Sequence, residues 1–468
     1  MSNKGNYVLS LSQFVSWLGS VAEEMGVEVY PGFAGASLVI GEHDGKKVVR
    51  GVRTNEVGLD RQERMKESFE PGMEFLAKVT LLAEGAHGSL TKTAVQEFDL
   101  RKDAEPQTYG MGVKEVWRVK PEKHQPGLVQ HTMGWPLDFR TYGGTFCYHM
   151  DDGLVSLGLV VGLDYANPYL SPYRELQRLK HHPLFRNLLE GGERIAYGGR
   201  TLNEGGIQSL PKLYFPGGAL IGCAAGTLNV PKIKGTHNAM KSGMVASETA
   251  FKILEDMGGK EPADMSGYEK ALKESWVWKE LMEVRNIRPS FNTPLGIWGG
   301  IAYSGVDSLF LKGRVPWTFK HGGSDAAHTK RARYAFLSEF ECDLHRGFFS
   351  ECEPIRYPPF QPPLSTDLLT SLSLTSTNHA EDQPIHLQIK QEDRVDHVKK
   401  NVGEYAGLLG HACPASVYEY VSAEPGDESS YEGQKLVINS QVRLISVLTR
   451  GLWANPKVEL HSLQAVRY

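Results

Sequence analysis

Two glycine-containing turns are the places in this sequence where a backbone could come close to a bound molecule. The first, residues 84–88, follows a short apolar strand and precedes a polar helix start. The second contains Gly222 and Gly226, follows the apolar strand at residues 219–221, and leads through a basic loop into a helix. Strand, glycine turn and helix in this order are typical of a nucleotide-binding α/β crossover.

The helix after the second turn is lined with small residues on one face. Ala239, Gly243, Ala246 and Ala250 recur at helical spacing, so the helix axis can lie close to a sheet or a ligand. The free amides and positive dipole end at its start favour an electron-rich carbonyl or an anion. Tight packing of a strand-to-helix turn explains this one turn equally well. Two such turns joined through a β-rich insertion favour a flavin site.

Composition narrows the class of protein. The chain has 468 residues, enough for two to four domains, with 41% hydrophobic residues and a net charge of -4. This balance gives no electrostatic case for binding nucleic acid. The five cysteines lie far apart without a C-x-x-C pair, so neither a disulfide framework nor a zinc site is predicted. No apolar run is long enough to span a bilayer, and the start does not read as a secretory signal.

Hydrophobic periodicity outlines the elements that hold these turns. The chain opens in a helical pattern at residues 11–22 and continues into hairpin strands. Residues 109–162 are predicted to be mainly antiparallel strands inserted into an α/β domain, which returns at residues 217–254. The G-x-G-x-x-G fingerprint of a dinucleotide site is absent from the sequence. We therefore expect the chain to begin after the first βαβ unit.

Three long stretches make the prediction specific. Residues 6–35, 202–248 and 275–290 closely resemble the electron transfer flavoprotein-ubiquinone oxidoreductase family, and the likeness covers about residues 5–330 and 354–441. The resemblance implies an α/β (α+β multidomain) fold with a glutathione-reductase-type FAD domain, incomplete at its N-terminus, an inserted β-rich ubiquinone domain and a ferredoxin-like C-terminal segment that is degenerate here. Set beside the family, the chain is expected to lack the targeting peptide and one membrane-facing element as well. The implied boundaries are 1–105 and 201–260 for the FAD domain, 106–200 for the ubiquinone-binding domain, 261–330 for its helical membrane-associated part, 331–360 for an atypical insert and linker, and 361–468 for the remnant of the cluster domain.

The family also implies a function. Its members are mitochondrial oxidoreductases that carry FAD and a 4Fe-4S cluster, take electrons from reduced electron transfer flavoprotein, and pass them to ubiquinone in the respiratory chain at the matrix side of the inner membrane. The glycines that contact ubiquinone in the family correspond to Gly143 and Gly144 in this sequence. A backbone without Cβ atoms allows a flat quinone ring to come close to it. A β-bulge is the alternative reason for that glycine pair. The residues implied to line the FAD are Gly85, Gly222, Cys223 and Gly226.

Thr236 stands at the start of the small-faced helix. We hypothesise that its hydroxyl donates to the pyrimidine edge of the flavin, where reduction builds negative charge. The alternative is that Thr236 is the N-cap of the helix.

A membrane-facing element is predicted between residues 276 and 311. Aromatic and apolar residues alternate there with lysines, a pattern that suits a segment lying in the membrane interface. Amphipathic packing onto the body of the protein explains the same pattern. The residues predicted to face lipid are Trp276, Trp278, Leu281 and Trp298.

The sequence departs from its family where the cluster should be bound. Cys413 matches the first cluster cysteine, but the family's three further cysteines do not follow it. One thiolate cannot hold a cluster that needs four.

The tail after residue 441 reads as out-of-frame sequence, and the segment around Cys342 and Cys352 reads as a retained insert. We expect weak or no FAD retention and no cluster in this chain. Two alternatives remain, a geranylgeranyl-reductase-like flavoenzyme and an inactive isoform that binds electron transfer flavoprotein.

Overall fold

A computed structural model describes residues 5–256, 262–332, 352–375, 382–385 and 389–439. Cys342 and the tail after residue 441 lie outside these ranges. Within them the helices are α1 (Leu11–Glu24), α2 (Ser89–Glu97), α3 (Pro172–Leu179), α4 (Pro183–Leu189), α5 (Thr236–Asp256), α6 (Ser266–Glu274), α7 (Trp276–Glu283), α8 (Gly296–Val306), α9 (Leu368–Leu372), α10 (Arg394–Tyr405) and α11 (Leu408–Ala412). A π-helix, Asp307–Leu311, continues directly from α8.

The strands follow the predicted order. They are β1 (Gly35–His43), β2 (Lys46–Thr54), β3 (Val57–Leu59), β4 (Met65–Glu70), β5 (Glu74–Leu76), β6 (Thr80–Leu82), β7 (Tyr109–Arg118), β8 (Val129–Met133), β9 (Gly143–His149), β10 (Leu154–Gly162), β11 (Glu193–Asn203), β12 (Tyr214–Phe215), β13 (Gly218–Leu220), β14 (Tyr418–Ser422) and β15 (Gln434–Ile438). The predicted opening helix, the hairpin at Asp44-Gly45 and both strand-turn-helix units are confirmed.

The largest sheet is antiparallel, with strand order β11-β7-β10-β9-β8. Residues along β7 alternate, with Met111, Val113 and Trp117 buried on one face, as expected for a half-covered sheet. The C-terminal segment packs on that face, because Leu408 and Leu409 belong to the same hydrophobic core. The predicted β-rich insertion is confirmed.

A second core holds the α/β part together. Strands β6 and β13 lie next to each other in a small sheet of order β12-β13-β6, and helices α5, α6 and α7 cover it. Strands β1, β2 and β5 form a further three-stranded sheet, while β3-β4 and β14-β15 are two-stranded ribbons. This arrangement fixes the two glycine turns at one edge of the small sheet.

Candidate functional site

The two glycine turns predicted from the sequence lie side by side. Strands β6 and β13 pair in parallel, with Leu220 opposite Leu82, and the Ile221 amide donates to the Leu82 carbonyl at 3.0 Å. The carboxyl ends of parallel strands share one edge of a sheet, and ligands of open α/β sheets bind at that edge. The residues that follow the two strands, 84–88 and 222–226, therefore begin at a common edge, which is the geometry that a shared flavin pocket requires.

The first turn is held rigid by its own acidic residue. Gly85 has a φ of +83°, which favours glycine. The Glu84 carboxylate accepts the amide of Leu90 at 3.2 Å and that of Thr91 at 2.6 Å, so it caps the first turn of α2. This capping fixes the position of the backbone of residues 84–88 at the edge of the small sheet.

The second turn packs directly against α5. Gly222 has a φ of +58°, and its amide donates to the Ser242 hydroxyl at 2.8 Å. A Cβ at Gly222 would lie 3.1 Å from the Ala239 side chain, and Ala246 is fully buried. The small residues of α5 thus pack against protein, so the tight-packing explanation holds for that face, while the turn itself stays at the sheet edge.

Thr236 is the first residue of α5, and Gly235 precedes it. The N-cap position lies before the first helical residue, so the N-cap alternative for Thr236 is wrong. Its side chain is exposed. A hydrogen bond from Thr236 to the flavin stays a prediction.

Arg200 on β11 is a site residue that the sequence reading missed. A Cβ at Gly85 would lie 3.6 Å from its Nη2 atom. Burial raises the pKa of the Cys223 thiol, and the positive charge of Arg200 partly offsets that shift. The guanidinium therefore lies within reach of both turns. The sequence around Arg200 has the pattern of an ordinary strand, so hydrophobic periodicity does not mark this residue as part of a site.

One of the predicted quinone glycines, Gly144, lies in the same row of the large sheet as Arg200. Arg200 is opposite Gly112, Gly112 is opposite Val160, and Val160 is opposite Gly144. Directly opposed residues share a sheet face, and three strand spacings amount to about 14 Å. Gly144 therefore shares a sheet face with Arg200, whereas Gly143, the residue before it in the strand, belongs to the opposite face.

Both glycines are also required by packing. A Cβ on Gly143 would overlap the Leu137 side chain, and one on Gly144 would overlap the Thr132 carbonyl. Pairing of β9 with β10 runs through both residues without a register shift, so the β-bulge alternative is wrong. Contact with ubiquinone stays a prediction for this pair.

Cys413, which matches the first cluster cysteine, is buried at the C-terminal end of α11. The Val417 amide donates to its Sγ at 3.4 Å. Burial raises the pKa of this thiol, while the amides of Val417, Ala415 and Tyr418 lower it. Such a set of amides suits a thiolate ligand. Within the described ranges, however, no three His, Cys, Asp or Glu residues group as a metal site would require.

The other thiols of the described ranges do not complete a cluster site. Cys147 lies within β9 in the core, Cys223 lies in the second turn, and Cys352 is half-buried beside Arg331. A four-iron cluster needs four ligands around one point. The thiols that the structure describes therefore do not fit the family's cluster.

The predicted membrane element divides into two parts. Trp298 is 71% exposed, and Leu309 and Phe310 are exposed to a similar degree. By contrast Leu281 is 1% exposed and lies in the core under the small sheet, so its predicted lipid contact is wrong. Helix α7 carries a buried stripe, which is the amphipathic packing that was the alternative.

The two tryptophans of α7 differ in exposure. Trp276 is 44% exposed, although its ring stacks on that of His237 at 5.4 Å between centroids, and Trp278 is half-buried with Lys273 over its ring. Lipid contact by these two residues stays a prediction, and the most exposed apolar side chains of this region lie in α8 and the π-helix. No helix in the described parts of the chain is long and apolar enough to cross a bilayer.

Two buried residues hold the chain that follows the π-helix. Arg285 donates to the carbonyls of Gly313 and Val315, the latter at 2.7 Å. Asn286 accepts the Phe319 amide at 2.7 Å. These bonds satisfy backbone groups of the chain that follows the π-helix. They therefore anchor the exposed apolar surface to the body of the protein.

Comparison with known proteins agrees with this geometry. Residues 109–202 match the family model "ETF-QO, ubiquinone-binding", and residues 363–446 match "Electron transfer flavoprotein-ubiquinone oxidoreductase, 4Fe-4S". The mitochondrial electron transfer flavoprotein-ubiquinone oxidoreductase of Bos taurus is 51% identical over 94% of this chain and 68% of its own length. The chain belongs to the electron transfer flavoprotein-ubiquinone oxidoreductase family.

Relatives from distant organisms agree with this membership. The Homo sapiens protein of the same name is 51% identical, with coverage of 94% and 68%, and a probable family member from Saccharomyces cerevisiae is 49% identical, with coverage of 94% and 69%. Among solved structures, a geranylgeranyl bacteriochlorophyll reductase-like protein from Thermoplasma acidophilum aligns with a TM-score of 0.47 at 17% identity, over 67% of this chain and 78% of that one.

Proposed function

We propose that this chain takes electrons from reduced electron transfer flavoprotein and passes them through a bound FAD to ubiquinone. The observation that supports the proposal is the meeting of two glycine turns at one edge of the small sheet, with Arg200 of the large sheet beside the first turn. Arg200 lies within residues 109–202, which match the family's ubiquinone-binding model. Electron transfer needs the donor and acceptor groups to be close, and the row from Arg200 to Gly144 supplies that short span.

The residues that would hold the FAD are Gly85, Gly222 and Gly226, with Cys223 between the last two. When bound, FAD accepts electrons and releases them to an acceptor. The chain's own contribution is electrostatic, because the Arg200 guanidinium lies within reach of both turns and favours negative charge there. Thr236 adds a hydroxyl at the start of α5, where the positive end of the helix dipole acts in the same direction.

For ubiquinone, we propose that Gly143 and Gly144 form the wall against which the flat ring lies. Gly144 is half-buried and shares its sheet face with Arg200. A side chain at either position would collide with neighbouring strands, so the backbone there stays bare. A bare backbone lets a planar ring approach its amide groups.

We propose no step through an iron-sulfur cluster in this chain. Cys413 has the amide environment of a cluster ligand, but the thiols present do not fit a four-iron group. This misfit favours the second candidate, an inactive isoform that binds electron transfer flavoprotein without passing electrons on.

We further propose that α8 and the π-helix dock on the matrix side of the mitochondrial inner membrane. Their exposed Trp298, Leu309 and Phe310 form an apolar surface fixed to the body of the protein, which suits insertion into the interface without crossing it. A long isoprenoid tail enters from lipid, so the ubiquinone site needs this contact.

Flotation with vesicles of mitochondrial lipid composition tests the membrane contact. We expect the chain to float with the vesicles and Trp298→Lys with Leu309→Glu to reduce the floating fraction severalfold. The control is Leu184→Lys, an exposed leucine on α4. Equal flotation of both variants, or none by the parent chain, would argue against docking.

Decylubiquinone reduction tests the electron transfer. The chain is supplied with FAD and reduced electron transfer flavoprotein, beside the Bos taurus relative as a reference. Reduction above the protein-free rate is the expected result. Binding of electron transfer flavoprotein with no reduction would favour the inactive isoform.

A further inference from the structure

A buried group of charged side chains lies at one end of the large sheet. Arg288 donates from Nη2 to Asp164 at 2.8 Å and from Nε to Glu204 at 3.0 Å. A third carboxyl, that of Asp325, is 1% exposed and accepts the Tyr109 amide at 2.9 Å. We call Arg288, Asp164, Glu204 and Asp325 the carboxyl cluster. None of its members was needed for the proposed function.

The carboxyl cluster holds more acids than its one cation can neutralise. Three carboxylates beside one guanidinium would leave two negative charges in a buried region, which is costly. Asp325 is the member without a side-chain salt bridge, and its Oδ1 has no hydrogen-bond partner of normal geometry in the described ranges. A carboxyl in this position is best accommodated as the neutral acid.

The surrounding groups agree with a bound proton. Burial, and secondly the charge of Asp164, raise the pKa of Asp325 to about 8. Burial also raises the pKa of Glu204 and lowers that of His321, so His321 brings no positive charge. The other ionisable groups that act electrostatically on these residues are Tyr109, Tyr142, His328, Arg101 and Glu105.

Two direct links join the carboxyl cluster to the proposed redox site. Asn203, the neighbour of Glu204 in sequence, donates from Nδ2 to the Ala86 carbonyl in the first turn at 3.3 Å. The Tyr142 ring lies 4.0 Å from the Arg288 Cζ and directly precedes Gly143. Tyr109 lies opposite Asn203 in the sheet, so Asp325 is about 10 Å from the first turn.

We propose that Asp325 exchanges a proton with solvent in step with reduction at the adjoining site. This rests on the proposed function. An electron that arrives from reduced electron transfer flavoprotein adds one negative charge, and the ionised fraction of the Asp325 carboxyls takes up protons from solvent to balance part of it. When the electron moves on, the same protons leave. Ubiquinone takes up two electrons and two protons to become ubiquinol. Asp325 is a positioning residue for charge, because it touches neither reactant.

The expected coupling is measurable. One charge at about 10 Å, with an effective dielectric constant of about 20, changes the proton affinity of a carboxyl by roughly tenfold. Reduction should therefore move the titration of Asp325 upward by about one pH unit. Uptake is largest about half a unit above pH 8, where it amounts to about half a proton per electron, because the carboxyl is partly ionised before the electron arrives and mostly protonated afterwards.

Infrared spectroscopy of protein labelled with ¹³C-aspartate tests the proposal. The FAD-supplied chain is titrated from pH 6 to pH 9, oxidised and after reduction with dithionite. We expect a protonated carboxyl signal that titrates near pH 8 and shifts by about one unit on reduction. The signal should vanish in Asp325→Asn and persist in Asp367→Asn, which alters an exposed helix cap.

The outcomes are separable. Absence of the protonated signal at pH 6, or a titration that reduction does not move, would overturn the proposal even if decylubiquinone is reduced. The parent chain alone decides this, so a variant that does not fold leaves the test intact. If neither the parent chain nor Asp367→Asn reduces decylubiquinone, the proposed function fails, while the carboxyl titration still decides whether Asp325 holds a proton.

Discussion

Replacing the buried Asp325 with asparagine should stabilise the protein at neutral and alkaline pH. The folded chain holds a proton on Asp325 up to about pH 8, whereas the ordinary value for aspartate is 3.8. Between these limits the unfolded chain binds fewer protons than the folded chain. Stability of the parent chain therefore falls as pH rises from about 4 and levels off near pH 8.

Asparagine removes this dependence without removing the contact. Its amide oxygen can accept the Tyr109 amide as the carboxyl does, and it never ionises. Each pH unit between the two limits costs the parent chain about 1.4 kcal/mol relative to the variant. From pH 5 to pH 7 the free energy of unfolding of Asp325→Asn should therefore rise, relative to the parent, by about 2.7 kcal/mol.

Urea unfolding of both proteins at pH 5, 6 and 7 measures this difference, and melting temperatures give its sign if unfolding has more than two states. The relevant quantity is how the free energy of unfolding of the variant minus that of the parent chain changes with pH. Other titrating groups contribute equally to both proteins and cancel in this difference. A difference that stays flat would mean that Asp325 is ionised throughout. A difference that runs the opposite way would mean that an ion pair stabilises its carboxylate, and the charge count of the carboxyl cluster would be wrong.

Three further substitutions test other parts of the structure. Lys180→Met should destabilise by about 1.5–3 kcal/mol in urea unfolding, because the fully buried Glu115 loses the ammonium at 3.0 Å and keeps the Arg194 guanidinium at 3.3 Å; recovery in the double variant with Glu115→Gln would identify the weakened compensation of this charge as the cause, and equal loss would exclude it. Gly144→Ala should lower the melting temperature by several degrees, since its Cβ meets the Thr132 carbonyl, whereas an unchanged melting curve would show that β9 can shift. Arg200→Gln should weaken FAD retention about tenfold in fluorescence titrations if the guanidinium favours bound negative charge, and unaltered retention would remove Arg200 from the site.

Local patterns were enough to predict the elements that carry the site. The two turns could be placed because each follows an apolar strand and precedes a helix, and parallel neighbours bring their carboxyl ends to one edge. Membership of the family could be predicted as well, since long stretches with distinctive composition carry that signal. The prediction failed where a side chain's direction depends on what lies opposite, as for Leu281, whose helical stripe fits lipid and protein equally well.

The carboxyl cluster lay beyond the reach of such patterns. Asp164 and Glu204 precede Arg288 by 124 and 84 residues, and Asp325 reaches Tyr109 across 216 residues. Each acid alone reads as a polar residue in a loop. Only the fold brings the ends of β10 and β11, which Asp164 and Glu204 follow, to Arg288 and Asp325. Burial of these side chains then makes the excess of negative charge costly.

The C-terminal segment shows that the family's fold and its cluster are separable in this chain. Leu408, Leu409 and Cys413 are buried in the core of the large sheet. The Tyr197 hydroxyl donates to the Pro414 carbonyl at 2.7 Å from the same sheet. Apolar burial of this kind stabilises a segment without a metal, whereas small domains that fold around a metal lack such a core. The large sheet therefore holds the described part of this segment through contacts that need no metal.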